Sequence, residues 1–405
     1  MGDNKNEKMK TICFFAFIGS ENLGDEAIFY SIMRNFKNRD YELIVLSFNP
    51  AKTKKLLRDL RLKNLKIVSV RKRREVYRAI KECDVFICGG GGIIQDQTSV
   101  YNLPFYLLHV KLAQMLGKKT MFYAVGVGPL QSKISRLLTK KIMNKADVIT
   151  VRDRKSKKIL DECGVKREKI TVTADPAVSL GTIPREDTKK ILRNEGISLN
   201  KRIMIVCLRH WFDIKRYLPV KVVKRFNIQN KKEKIKQERF IGELAHFLDY
   251  CKEKEDYQLV FLPFWIKRDN EIHREVISKL RTKKNIFLLN KEYSPKEVRG
   301  IIQSADFLVG MRLHSLILNY GSRVPFLALG YSQKVKNYLE MFTTREITIQ
   351  DTLIDLDGLS SNKILNRFSL LTKKRIKMLI ENFWNSNNLM EREKENFELL
   401  ERLLE

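Results

Sequence analysis

Short apolar runs, each closed by glycine or a polar cluster and followed by a segment of helical period, recur along most of this chain. In the first half they occupy residues 11–17, 41–48, 65–70, 84–88, 119–125 and 148–151. Helical spacing falls between and after them, over residues 25–36, 52–60, 73–81, 101–116 and 155–163. Runs that are apolar throughout suit strands buried on both faces, the condition of a parallel sheet covered by helices. The second half repeats the pattern, with strands expected over 202–208, 258–262, 285–288, 306–309 and 326–329. Helices are expected over 240–253 and 295–304, the latter with Ser294 as N-cap, Pro295 first and Glu297 third. A polar stretch from Leu180 to Lys201 separates the halves. The expected class is α/β: two Rossmann-like domains facing a cleft, residues 1–180 and 181–361, with a helical tail over 362–405. Basic residues 213–238 interrupt the rhythm and read as a surface loop or insertion.

Composition narrows the functional classes. The chain has 405 residues and is 43% hydrophobic, enough for sizeable cores. No apolar run approaches the ~18 residues of a spanning helix, and no apolar segment of signal-peptide type precedes the first strand. A cytoplasmic location is therefore expected. The six cysteines are scattered without a CxxC pair, so neither a disulfide framework nor a zinc site is indicated, and no metal is expected. The net charge of +31 has two readings, an anionic partner or lysine spread over every solvated face. Residues 52–81, 133–158 and 215–236 are basic beyond that background. They lack the stacking aromatics or recognised module of a nucleic-acid binder. An anionic membrane surface or a diphosphate-bearing substrate fits better.

In open α/β sheets ligands bind beyond the carboxyl ends of the strands, so the strand ends can be read in order. The first is followed by Gly19, Asn22, Gly24 and Asp25, where Asn22 or Asp25 can also simply cap the next helix. The fourth runs into Gly89–Gly92 and then Asp96. Four glycines permit close packing or backbone contact with a ligand, and the second is favoured. Neither a GxGxxG fingerprint nor a Walker GK[ST] is present. In the second half, strand ends carry Arg209 with His210 and Trp211, then Pro263-Phe264-Trp265 with Asp269 close behind. Further on come Arg312 with His314 and Ser315, and finally Lys334. Arg209, Arg312 and Lys334 together would form a cationic pocket for a small, multiply charged anion. Arg312 and His314 stand where a helix should begin, which adds N–H groups and a proton donor.

These residues resemble the polysaccharide pyruvyl transferase family. The similarity runs in unbroken order over roughly residues 10–340: GSENLGDEA at 19–27, CGGGGIIQD at 88–96, GVGPL at 126–130 and VRDRKS at 151–156. It continues with TADPA at 173–177, LRHW at 208–211, LPF at 262–264 and MRLHSLILNYGSRVPFLALGYSQKV at 311–335. The branch modifying bacterial cell-wall and capsule saccharides is the most similar. The basic stretch 213–238 departs from the family pattern.

The resemblance implies a GT-B-like fold and transfer of pyruvate from phosphoenolpyruvate onto two hydroxyls of one sugar, giving a cyclic ketal. No cofactor is implied beyond phosphoenolpyruvate as donor. The acceptor it implies is a saccharide, often carried on a polyprenyl lipid. Expected donor contacts are Arg209, Arg312, His314, Ser315 and Lys334, with His314 as general acid. Asp25 is the expected base, and Asn22, Gly24, Gly90, Gly91 and Asp96 the expected acceptor contacts. Two rivals stand beside this. One is a nucleotide-sugar glycosyltransferase of the same architecture, although no acidic pair follows His314. The other is a non-catalytic binder of anionic surfaces driven by net charge.

Overall fold

The computed structural model describes residues 9–97, 99–211, 231–342, 344–373 and 376–405. It divides into two compact units, one running to Ser179 and rejoined by Leu389–Glu405, the other covering Leu180–Asn388.

The first unit is built on strands β1 (Thr11–Phe15), β2 (Glu42–Ser47), β3 (Leu65–Ser69), β4 (Val85–Ile94), β5 (Lys119–Val127), β6 (Val148–Val151) and β7 (Ile170–Val172). They form one sheet in the order β3-β2-β1-β4-β5-β6-β7, every pair parallel. Helices α1 (Leu23–Arg34), α2 (Pro50–Leu57), α3 (Arg73–Glu82), α4 (Asn102–Met115), α5 (Lys133–Met143) and α6 (Arg154–Glu162) make the crossovers. Every residue of β1 is buried, as a central strand covered on both faces requires. Asp153 caps α6 by accepting the Ser156 N–H at 2.7 Å. That is the ordinary capping role its position suggests.

The second unit holds α7 (Arg185–Asn194), β8 (Arg202–Cys207), α8 (Lys231–Lys254), β9 (Tyr257–Phe261), α9 (Ile266–Lys279), β10 (Ile286–Leu288), α10 (Pro295–Gln303) and β11 (Phe307–Gly310). It continues with α11 (Leu313–Asn319), β12 (Phe326–Gly330), α12 (Gln333–Leu339), α13 (Ile349–Thr352), β13 (Leu353–Asp355), α14 (Ser361–Leu371) and α15 (Ile376–Asn385). Its sheet is also parallel throughout, in the order β10-β9-β8-β11-β12-β13. At α10, Ser294 and Glu297 form a reciprocal capping box with Pro295 at the first helical position.

Four details differ from the sequence expectations. β7 and β13 have no counterpart among the expected strands; each is a three-residue edge strand interrupted or ended by a polar residue, Thr171 in one and Asp355 in the other, so no apolar run marks it. The four glycines do not form a loop after β4 but lie inside it. Within the basic stretch 213–238, residues 213–230 lie outside the described residues, and 231–238 form the opening turns of α8. The expected tail is also divided. α14 and α15 belong to the second unit, where Trp384 is fully buried and stacks on Phe326 at 5.0 Å.

The last helix, α16 (Leu389–Leu404), belongs to the first unit. Its buried Asn396 accepts the hydroxyls of Thr150 and Thr173 at 2.6 and 2.8 Å and donates to the Ala174 carbonyl at 3.3 Å. Satisfying both ends of a buried amide ties this helix to β6 and the residues after β7. Among the described residues no helix is long and apolar enough to cross a membrane.

Candidate functional site

Both sheets reverse direction once. After β3 the chain returns to the far side of β1 to make β4, and after β10 it returns to the far side of β8 to make β11. These are topological switch points, where the carboxyl ends of adjacent strands lead away from one another and open a crevice. The residues singled out in the sequence fall at these two places.

At the first, the turn after β1 leads to Asn22, the N-cap of α1, with Gly24 buried in the first turn. Asn22 caps no backbone N–H; its Nδ2 donates instead to Asp25 Oδ2. Asp25 Oδ1 lies 2.7 Å from where a Cβ on Gly91 would stand, and Gly91 has φ +105°. A side chain there would displace the carboxylate and strain the backbone. Gly90, with φ +76°, would meet Ile28 at 2.7 Å. Thus Gly90 serves the close approach of α1, while Gly91 makes room for Asp25. Asp96 is fully buried and accepts the N–H groups of Gln131 and Ser132, both at 2.9 Å, so its carboxylate holds the segment after β5.

Two groups here were not singled out from sequence. Burial, and then the charge of Asp25, push the Glu26 carboxyl up to about 7, against backbone N–H donors of Glu21, Gly19 and Ser20. Arg152 is buried and bonded to Asp175 at 2.8 Å, with Asp153 at 3.7 Å. Its pairing explains why VRDRKS and TADPA occur together: they are two sides of one buried ion pair.

The second switch point has the opposite charge. Arg312 is buried, and its Nε donates to Asp269 Oδ2 at 3.0 Å while Nη2 donates to Oδ1. This is the fork geometry that fixes a guanidinium plane. Asp269, fully buried, also accepts the N–H groups of Phe264 and Trp265 at 3.0 and 2.9 Å. Beneath it His273 accepts the Leu208 N–H on Nε2 at 3.0 Å. Burial drives the imidazole down to about 4, with Asp269 opposing and Arg312 assisting, so His273 is neutral and structural.

Arg209 donates from Nη1 to the Tyr331 hydroxyl at 2.9 Å and lies 4.7 Å from the centre of that ring. Trp211 packs edge-on against the same ring at 4.8 Å. Burial alone would raise the Tyr331 phenol, but Arg209, Arg312 and Lys334 outweigh it and bring the group down to about 8. The three cations expected from sequence therefore act on one phenol. Arg268 is a fourth, stacked on Trp265 at 3.9 Å. Burial and then repulsion from Arg312 and Arg209 pull its guanidinium below the ordinary value. Four cations gathered with one buried carboxylate suit an anionic ligand.

His314 is half-buried at the second position of α11, and Lys334 is half-buried at the second position of α12. Ser315 is fully buried, and its hydroxyl donates to the Arg312 carbonyl at 2.6 Å. Ser315 shapes the turn that presents Arg312, which its place in the motif did not reveal. Sequence also passed over Asp269 as the anchor of Arg312, and over Tyr331, Arg268 and His273. The signal for Asp269 was its spacing, four residues after Trp265 at a helix start. Nor did sequence suggest a metal cluster. Among the described residues, the ligand atoms of His210, Glu271 and Glu275 all lie within 4.8 Å of one another.

Two parallel-sheet α/β units with their distinctive residues at the switch points define a GT-B-like protein. The polysaccharide pyruvyl transferase model matches residues 22–333, and the chain belongs to that family. The family is one of transferases in polysaccharide biosynthesis. Among solved structures, the chain is similar to Anabaena HepE in complex with UDP-glucose. The TM-score is 0.63 at 12% identity, covering 97% of this chain and 99% of that one. It is also similar to a glycosyltransferase from Rickettsia africae, with TM-score 0.61, 14% identity, and 98% and 99% coverage. A putative UDP-N-acetylglucosamine 2-epimerase from Listeria monocytogenes gives TM-score 0.60, 14% identity, and 94% and 92% coverage. No individually curated protein matches the sequence. At these identities the structural likeness speaks for the fold alone.

Proposed function

We propose that the chain transfers the pyruvyl group of phosphoenolpyruvate onto two hydroxyls of a sugar in a bacterial surface-polysaccharide precursor. The products are a cyclic ketal and inorganic phosphate. The observation that carries this is the convergence of Arg209, Arg312 and Lys334 on Tyr331 at the switch point of the second sheet. Phosphoenolpyruvate carries a phosphate and a carboxylate on one carbon, and such a ligand suits several cations with one fixed guanidinium fork.

The balance of the reaction states what the residues must do. Two hydroxyl oxygens bond to C2 of the donor, and the C2–O bond to phosphate breaks. Of the two hydroxyl protons, one ends on the methylene carbon, making a methyl group, and the other on phosphate. His314 is the proposed donor of the proton to carbon, and Asp25 the proposed acceptor of a hydroxyl proton. Asn22, bonded to Asp25, holds that carboxylate in orientation. Arg312, held by Asp269, is set in place before the donor arrives, so binding does not have to order it. A lipid-linked acceptor at an anionic membrane surface is consistent with the +31 charge.

The test is direct. Purified protein with phosphoenolpyruvate and lipid-linked saccharide should release phosphate and add an acid-labile pyruvyl group visible by mass spectrometry. No binding and no consumption of phosphoenolpyruvate with any acceptor tried would end this reading. A second reading, a glycosyltransferase using a nucleotide-sugar donor, is favoured by the fold of HepE, whose structure holds UDP-glucose. Thermal-shift comparison separates the two: stabilisation by phosphoenolpyruvate supports the first, stabilisation by UDP-sugars alone the second.

A further inference from the structure

The carboxyl end of β8 carries a second cluster that the proposed transfer chemistry does not use. We infer that His210, Glu271 and Glu275 bind one divalent transition-metal ion, with open positions for water or an oxyanion. Their ligand atoms all lie within 4.8 Å of one another. Ligands about 2.0–2.2 Å from a shared metal stand no more than roughly 4.4 Å apart, so a small turn of the exposed Glu271 side chain closes the site.

The cluster joins two elements that the fold holds together independently. His210 follows β8, and the Leu208 N–H just before it is bonded to His273 on α9. Glu271 and Glu275 stand four apart on α9, hence on one helical face. Glu275 is held: its Oε2 accepts from Gln237 Nε2 on α8 at 2.7 Å. A carboxylate oriented by an outer amide is the arrangement that metal ligands commonly show.

The donor set selects the ion. One imidazole nitrogen and two carboxylate oxygens suit Mn²⁺, Fe²⁺ or Zn²⁺, whereas Mg²⁺ and Ca²⁺ favour oxygen throughout. Three protein ligands leave the site open, as catalytic rather than structural metal sites are. Arg268 lies on the same face of α9, three residues before Glu271, and its guanidinium is within charge reach of Arg209 and Arg312. If phosphoenolpyruvate is the donor, which rests on the function proposed above, the ion and these arginines would share its phosphate.

Full-length protein stripped with EDTA and dialysed is titrated with MnCl₂, read by loss of the free Mn²⁺ EPR signal and by calorimetry. One ion per chain is expected, displaced by Zn²⁺. The double variant Glu271→Gln/Glu275→Gln should lose at least tenfold in affinity, and His210→Ala should do the same from the other element. Circular dichroism checks each fold; if the double variant fails to fold, His210→Ala supplies the reading. Undiminished binding in these variants, or no binding by the wild type at millimolar Mn²⁺, overturns the site. Turnover is not read, so this result and that for the transfer reaction stand or fall separately.

Discussion

The two switch points have the same topology and opposite chemistry. In the first sheet, the reversal at β1 and β4 gathers carboxylates: Asp25 beside Gly91, and Glu26 pushed up to about 7 by burial and by Asp25. In the second, the reversal at β8 and β11 gathers Arg209, Arg268 and Arg312, with Lys334 acting on the same phenol. The perturbed groups differ accordingly. At the first switch point an acid is pushed up, and at the second a phenol is drawn down. A duplicated scaffold therefore supplies a place twice, while the side chains decide which charge each place favours.

The sharpest test of this division is His314→Ala. With His314 as the acid, turnover should fall by roughly 10²–10⁴-fold with the fold intact. Steady-state phosphate release measures it, and full activity would remove His314 from the chemistry. Next is Asp269→Asn, which leaves the buried Arg312 guanidinium without its anion. A stability loss of about 3–5 kcal/mol is expected by urea denaturation. A loss below ~1 kcal/mol would show that the cationic site needs no internal counter-charge.

The third prediction concerns the acid side. Burial first, opposed by Ser179 and Arg34, leaves the Glu393 carboxyl raised to about 7. A carboxyl raised on folding binds its proton more tightly in the native state, so its contribution falls as pH rises from the ordinary carboxylate range through about 7. Glu393→Gln should therefore raise stability at pH 8, by on the order of 3 kcal/mol at most, and change little at pH 4.5. Melting temperatures across that window check the sign. The smallest effect is on the cationic side, at Tyr331, whose phenol lies at about 8. Ionisation there sets a negative charge among the donor's cations. The KM for phosphoenolpyruvate should then rise roughly tenfold from pH 7 to 9, the worth of about 1.4 kcal/mol of repulsion. Tyr331→Phe should flatten that rise, and an equally steep profile in the variant would place the titration elsewhere.

The strand ends were legible because buried parallel strands are apolar throughout, and a glycine or a charge after them stands out. That was enough to bring Asn22, Asp25 and Gly91 to one switch point and Arg209 and Arg312 to the other. The all-apolar strands were legible for the same reason, down to the three-residue Ile286–Leu288, and the edge strands Ile170–Val172 and Leu353–Asp355 were not, each being interrupted or ended by a polar residue. What sequence could not show is which polar residues serve the scaffold. Asp96 and Ser315 sit inside the motifs, yet one holds backbone amides and the other a backbone carbonyl. Asp269 shows the reverse: a carboxylate outside the quoted motifs turns out to fix the arginine within one. Partnership across 43 residues has no local pattern to find.

The return of Leu389–Leu404 to the first unit has a consequence for how the protein is made. During synthesis the first unit's strands emerge early, but the Asn396 amide that joins Thr150 and Thr173 arrives only after the whole second unit has been translated. Until then those two hydroxyls lack that partner, and the apolar surface under Phe397 and Leu400 is uncovered. The first unit is therefore completed only after the second has been translated.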